Sequence, residues 1–139
     1  MNDIKLMNKA ADNIRILAAS MVEKAKSGHP GGAMGGADFV NVLFSEFLVY
    51  DPKNPAWEGR DRYFQDPGHM SPMLYSVLAL AGKFTIDELK EFRQWGSVTP
   101  GHPEVNVMRG IENTSGPLGQ GHTYAVGAAI AAKFLKARL

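Results

Sequence analysis

Asp61-Arg62-Tyr63-Phe64-Gln65-Asp66-Pro67-Gly68-His69-Met70-Ser71-Pro72 is the stretch on which the fold turns. A short aromatic run bounded by Gly59 and by Asp66-Pro67-Gly68 predicts a strand over 61–65. Ser71 as cap and Pro72 at the first helical position predict a helix, with Leu74, Val77, Leu78 and Ala81 on its apolar side and Gly82 as its stop. The stretch therefore reads strand, turn, helix, with His69 just past the carboxyl end of the strand. In parallel α/β sheets that is where ligands bind, and a helix amino terminus there offers backbone donors to an anion such as a diphosphate.

Upstream, apolar residues at three- and four-residue intervals, including Ile4, Met7, Ala11, Ile14, Leu17, Met21 and Ala25, predict an amphipathic helix from Ile4 to Lys26. Gly28 is its expected stop, and His29-Pro30-Gly31-Gly32 extends the break. A second helix from about Met34 to Leu48 is expected to bury Val40, Leu43, Phe44 and Phe47 before Asp51-Pro52-Lys53-Asn54-Pro55 ends it.

Downstream, Thr85-Ile86-Asp87-Glu88 is a capping box that opens a helix through Leu89, Phe92 and Trp95. Residues 96–104 read as loop and carry His102, and 105–111 read as a short strand or irregular chain. Ser115-Gly116-Pro117-Leu118-Gly119-Gln120-Gly121 leads into a helix of small residues that ends with Lys133, Lys136 and Arg138, suited to the helix dipole. One or two short strands are too few for a complete parallel sheet. The domain is either mainly helical or the opening part of a larger α/β domain.

A length of 139 residues with 45% apolar content fits one globular domain. The net charge of +1, without charge blocks, implies neither nucleic acid nor a membrane surface as partner. With no cysteine, disulfides, thiol nucleophiles and thiolate metal sites are excluded. No apolar run reaches transmembrane length, and Met1-Asn2-Asp3-Ile4-Lys5 lacks a signal-peptide apolar region, so a cytoplasmic chain is expected.

All four histidines, His29, His69, His102 and His122, follow a glycine and fall at breaks between periodic segments. Imidazoles on loops can donate, accept and exchange protons near neutral pH. Each segment also has a plain structural reading: a helix stop at 27–32, a strand-to-helix connection at 66–72, and a surface turn at 100–104. The last repeats the Gly-His-Pro triplet of the first. The 116–121 stretch is either a ligand loop or tight helix packing, since it matches neither the P-loop nor the dinucleotide fingerprint. His122, on the following helix, is expected to be a local hydrogen-bonding group. The histidines stand forty, thirty-three and twenty residues apart, so no pair has the short spacing of zinc ligands, and no metal site is assigned.

Four motifs in order, Lys-Ser-Gly-His-Pro-Gly at 26–31, Asp-Arg-Tyr-Phe-Gln-Asp-Pro-Gly-His-Met-Ser at 61–71, Pro-Gly-His-Pro-Glu at 100–104 and Thr-Ser-Gly-Pro-Leu-Gly-Gln-Gly at 114–121, resemble the amino-terminal part of transketolases. The resemblance covers essentially the whole chain. It implies an incomplete α/β thiamine diphosphate-binding fold, mostly helical, with residues 1–139 as the amino-terminal portion of that domain. It also implies an enzyme of the pentose phosphate pathway that moves a two-carbon ketol unit from a ketose phosphate to an aldose phosphate. Carried over by motif, His29 and His102 would contact the donor hydroxyl and carbonyl and assist proton transfer. His69 would sit beside the thiamine diphosphate, and Gly116, Pro117 and Leu118 would line its groove.

The same resemblance places the magnesium-holding Gly-Asp-Gly motif after Leu139, and the glutamate that activates the aminopyrimidine on a second domain across a homodimer. Magnesium ligands are thus expected to be absent from this chain, which alone should be inactive. Apolar faces left uncovered would favour self-association. Two departures stand out: Phe64-Gln65-Asp66-Pro67 replaces the usual small and apolar residues, and His122 stands where an apolar residue is usual, so no family role passes to it. Dihydroxyacetone synthase is the near alternative; a noncatalytic helical or metal-binding module is the distant one.

Overall fold

The computed structural model describes residues 2–139. Six α-helices follow in order: α1 (Ile4–Ala25), α2 (Pro30–Gly35), α3 (Ala37–Val42), α4 (Ser71–Leu80), α5 (Ile86–Lys90) and α6 (Gln120–Lys136). Asp3 caps α1, its carboxylate accepting from the backbone N–H of Lys5 (2.7 Å) and Leu6 (3.1 Å). Ala11, Ile14, Ala18 and Met21 form the buried stripe of α1, as the spacing requires. The residue that turns the chain left-handed at its end is Lys26 (φ 51°), two residues before the expected stop at Gly28.

The break at 29–32 is shorter than its composition suggests. His29 occupies the position before α2 without a side-chain capping bond, and Pro30 begins the helix, because a proline at the first helical position loses only a hydrogen bond that the helix would not make. Gly32 and Gly36 leave room for Met70 and Met73: a Cβ on either would meet Met70 Cγ at 2.9 Å or Met73 Sδ at 2.6 Å. This close approach sets α2 against the start of α4. The predicted helix over 34–48 is likewise divided, into α3 and a π turn at Leu43–Phe47 closed by the Leu48 N–H on the Leu43 carbonyl (2.9 Å). Val40 and Phe44 are buried, Leu43 is half-buried, and Phe47 is 70% exposed, against expectation.

Helix α4 is the centre of the core, with every residue from Ser71 to Leu78 buried. Tyr75 stands between Phe84 (5.4 Å between ring centroids) and Phe92 (6.3 Å), and its hydroxyl donates to the Pro100 carbonyl (2.8 Å). Burial pushes the Tyr75 hydroxyl well above its ordinary range, with Glu104 adding to the shift. Ser71 is not the cap. It is the first helical residue, and its hydroxyl donates to the Gly101 carbonyl (2.7 Å).

The strand expected at 61–65 is not formed, and the segment has no regular secondary structure. A strand needs a neighbouring backbone, and among the described residues the only bridge is the isolated antiparallel pair Asn106–Ile111. The segment is held at its ends instead: the Asp61 N–H donates to the Val49 carbonyl (2.8 Å), and the Gln65 N–H to Asn113 Oδ1 (2.9 Å). Arg60 and Glu112 add a buried bidentate ion pair (2.7 and 3.1 Å). Beyond it, α6 stands across an open cleft of about 830 Å³, and Gly121 is its one buried residue. No helix among the described residues is long and apolar enough to cross a membrane.

The capping box at Thr85–Glu88 forms as predicted, but α5 stops at Lys90; Phe92 is buried beyond it, while Trp95 is fully exposed. Glu88 also accepts from Arg109 (2.7 Å) and from the Thr85 N–H (2.8 Å), and these bonds bring its carboxyl down to about 2. Its folded value lies below the ordinary 4.5, so it contributes stability that is present above that value and is lost as pH falls toward about 2. Glu88→Gln is therefore expected to lower stability by about 1 kcal/mol at pH 7. Thermal melts at a series of pH values should show the gap to the parent closing between 4.5 and about 2; a gap that persists there refutes the linkage.

Candidate active site

Three loops meet beside the start of α4. His29, just before α2, and His69, in the 3₁₀ turn Gly68–Met70, lie with ring centroids 4.8 Å apart and planes tilted by 48°. His102 comes from the Pro100–Pro103 loop, whose Gly101 carbonyl is fixed by Ser71. Its Cδ2 is 3.0 Å from the point where a Cβ on Gly68 would sit, so only glycine before His69 lets this ring approach. Partial desolvation, then the charges of Arg93, His69 and His29, hold the His102 imidazole below its ordinary range. Near neutral pH His102 is thus kept as the neutral ring, with one N–H donor and one nitrogen acceptor.

The glycine-rich loop is tied to the same turn at both ends. Ser115 packs on Gly68, where a Cβ would meet its Oγ at 2.7 Å and its carbonyl oxygen at 2.9 Å. The Gly119 N–H donates to Asp66 Oδ1 (3.2 Å). Between these anchors Gly116, Pro117 and Leu118 are exposed, Leu118 to 73%, and a Cβ on Gly116 would touch nothing within 4 Å. This span offers uncovered backbone and apolar surface beside the imidazoles. The buried Oγ of Ser115 has no hydrogen-bond partner among the described residues.

His122 is not in the cluster. Its Nδ1 is bonded to the buried carboxylate of Asp66, which makes it the local hydrogen-bonding group that its position suggested. At the start of α4 some of the backbone donors expected for an anion are already engaged. The 3₁₀ turn uses the N–H groups of Met70 (on the Pro67 carbonyl, 3.1 Å) and Ser71 (on the Gly68 carbonyl), and Pro72 has none. Asp66, Gly68, Arg93 and Ser115 were not singled out from sequence, although the glycine that precedes each histidine was the available signal for Gly68. Among the described residues no group of three or more His, Asp or Glu side chains is placed to hold a metal ion.

The family described as "Transketolase, thiamine diphosphate binding domain" matches residues 6–139. The chain belongs to the transketolase family. It is 53% identical over 129 residues to Transketolase 1 of Escherichia coli (strain K12), covering 92% of this chain and 20% of the relative. To Transketolase-1, chloroplastic, of Arabidopsis thaliana it is 52% identical over 138 residues, covering 98% and 19%. It also superposes on the crystal structure of transketolase from Campylobacter jejuni with a TM-score of 0.89 and 49% identity, over 95% of this chain and 21% of that one. The chain thus spans about a fifth of the length of these transketolases. Its fold is a mostly helical part of the thiamine diphosphate-binding α/β fold of that family.

Proposed function

We propose that the protein is a transketolase that moves a two-carbon ketol unit from a ketose phosphate to an aldose phosphate, in the pentose phosphate pathway of the cytoplasm. Residues 1–139 are read as the amino-terminal portion of its thiamine diphosphate-binding domain. The observation that carries this reading is the meeting of His29, His69 and His102 beside the uncovered Gly116–Leu118 span. That span suits the cofactor: bare backbone and apolar side chains for its rings, with His69 alongside. Thiamine diphosphate supplies, when bound with magnesium, the carbon nucleophile that amino-acid side chains lack.

The chain's own groups bind and orient the sugar and move protons. His102, kept neutral by its surroundings, donates from its N–H to the donor carbonyl oxygen. His29, at the open side of the cluster, holds a donor hydroxyl. Every relative named above is a transketolase, so neither a dihydroxyacetone synthase nor a noncatalytic module is favoured.

In the full-length protein, His102→Asn is expected to lower turnover of xylulose and ribose phosphates by about 10²–10⁴-fold with the fold retained. Turnover at the parental level would overturn the assignment. The 139-residue chain by itself, spanning about a fifth of its relatives, is expected to give no magnesium-dependent product and to bind thiamine diphosphate weakly or not at all. Homodimerisation of the whole protein is part of the proposal. So is self-association of the chain through the exposed Val126, Ile130 and Phe134 of α6, which concentration-dependent light scattering reads out.

A further inference from the structure

The two Gly-His-Pro triplets, 28–30 and 101–103, face one side chain. We infer that Arg93 is a positioning residue for the histidine cluster: its guanidinium is wedged between the two triplet turns and fixes His29 and His102 relative to each other. This inference rests on the proposed site and adds to it a residue that does not itself touch substrate.

The wedge is visible from both sides. On the 101 side, a Cβ on Gly101 would sit 2.6 Å from Arg93 Nε, 3.0 Å from its Cζ and 3.1 Å from its Nη2. The guanidinium therefore lies flat on bare glycine backbone. On the 28 side, a Cβ on Gly28 would be 3.7 Å from Arg93 Nε and 3.3 Å from the Phe92 ring, and Arg93 Nη1 donates to Ser27 Oγ (2.9 Å). Glycine before His102 is thereby explained, since any Cβ there would displace the guanidinium; before His29 the left-handed backbone (φ 129°) and the closeness of Val22 (3.2 Å) and Phe92 already call for glycine, with Arg93 in ordinary contact.

Arg93 is held at a cost. It is one of two non-glycine residues with positive φ (62°) among the described residues, fastened by its N–H on the Thr99 carbonyl (3.0 Å), and its buried Nε–H has no acceptor. A strained backbone and an unpaired buried donor at one residue mark a position required by something other than local stability. The contact also passes a charge to the site, since Arg93, with His69 and His29, disfavours the cationic form of His102. Glu104 lines the same open cleft as Arg93 and His102 and is the one acidic group on that wall.

The test is a double-mutant cycle on the 139-residue chain, read by NMR titration of the His102 ring protons without cofactor. Gly101 has no positive φ, and the three atoms nearest to an alanine Cβ there all belong to the Arg93 guanidinium group. Arg93→Ala is expected to raise the His102 midpoint, because a neighbouring cation is removed. Gly101→Ala is expected to shift that midpoint and the His29 resonances in the parent, and to have no further effect once Arg93 is alanine. If Arg93→Ala does not fold, Arg93→Gln, too short to reach Gly101, carries the same expectation. Equal effects of Gly101→Ala in both backgrounds, or a Gly101→Ala that leaves His102 titrating as in the parent, would overturn the inference. Because no cofactor or turnover is involved, loss of the proposed transketolase reading through inactive full-length protein leaves this result readable on its own.

Discussion

Phe92→Ala is expected to cost the chain about 3–5 kcal/mol, as for other fully buried aromatic side chains cut back to alanine. Phe92 is 1% exposed and belongs to the core with Tyr75, Phe84 and Leu89. Its ring edge also lies under Gly28, and it precedes Arg93, so the cavity would open beneath both Gly-His-Pro turns. Denaturant unfolding should show the loss in the transition midpoint, and the ring resonances of His29 and His102 should move together toward those of an unfolded chain. Trp95, three residues on and fully exposed, is the control: Trp95→Ala should stay within about 0.5 kcal/mol. A Phe92→Ala loss as small as that of Trp95→Ala would show that the core does not carry the site.

Gly121→Ala is expected to release α6, although helix propensity alone predicts the opposite sign. Alanine in a helix interior is favoured over glycine by about 1 kcal/mol. At position 121, however, its Cβ would lie 2.7 Å from the Gln65 carbonyl oxygen, 3.1 Å from the Gln65 carbonyl carbon and 2.5 Å from Asp66 Cβ. Two of these are backbone atoms that cannot turn aside, and such overpacking costs about 1–3 kcal/mol. The clash prevails because Gly121 is the only buried residue of α6. Hydrogen exchange should quicken across α6 and across 116–119, whose tie to Asp66 would part with it. Gly127→Ala, where a Cβ meets nothing within 4 Å, should instead slow exchange in the same helix. If the two substitutions act alike, the docking of α6 on 65–66 is not what holds it.

How far the fold was legible follows from how local its causes are. Helix α1 was readable almost to the residue, because a long stripe of apolar side chains is written in neighbouring positions. The capping box at 85–88 was readable for the same reason. The start of α2 at Pro30 was not, since Gly31-Gly32 argues for a break unless Met70 and Met73 are known to need the space. The strand at 61–65 failed for a complementary reason: a short aromatic run between turn residues favours extended backbone, but a strand exists only where another backbone meets it.

By itself, the sequence determined the helical character of the chain, its resemblance to transketolases and the three histidines worth attention. These rest on periodicity, capping and motif order, all of which are properties of neighbouring residues. Tertiary structure alone decided which histidines meet, because the approach of His102 to Gly68, and of Arg93 to Gly28, depends on chain segments tens of residues apart. It also removed His122 from the cluster by giving it to Asp66. Glycine in a sequence says only that space was left; what fills the space is fixed by packing.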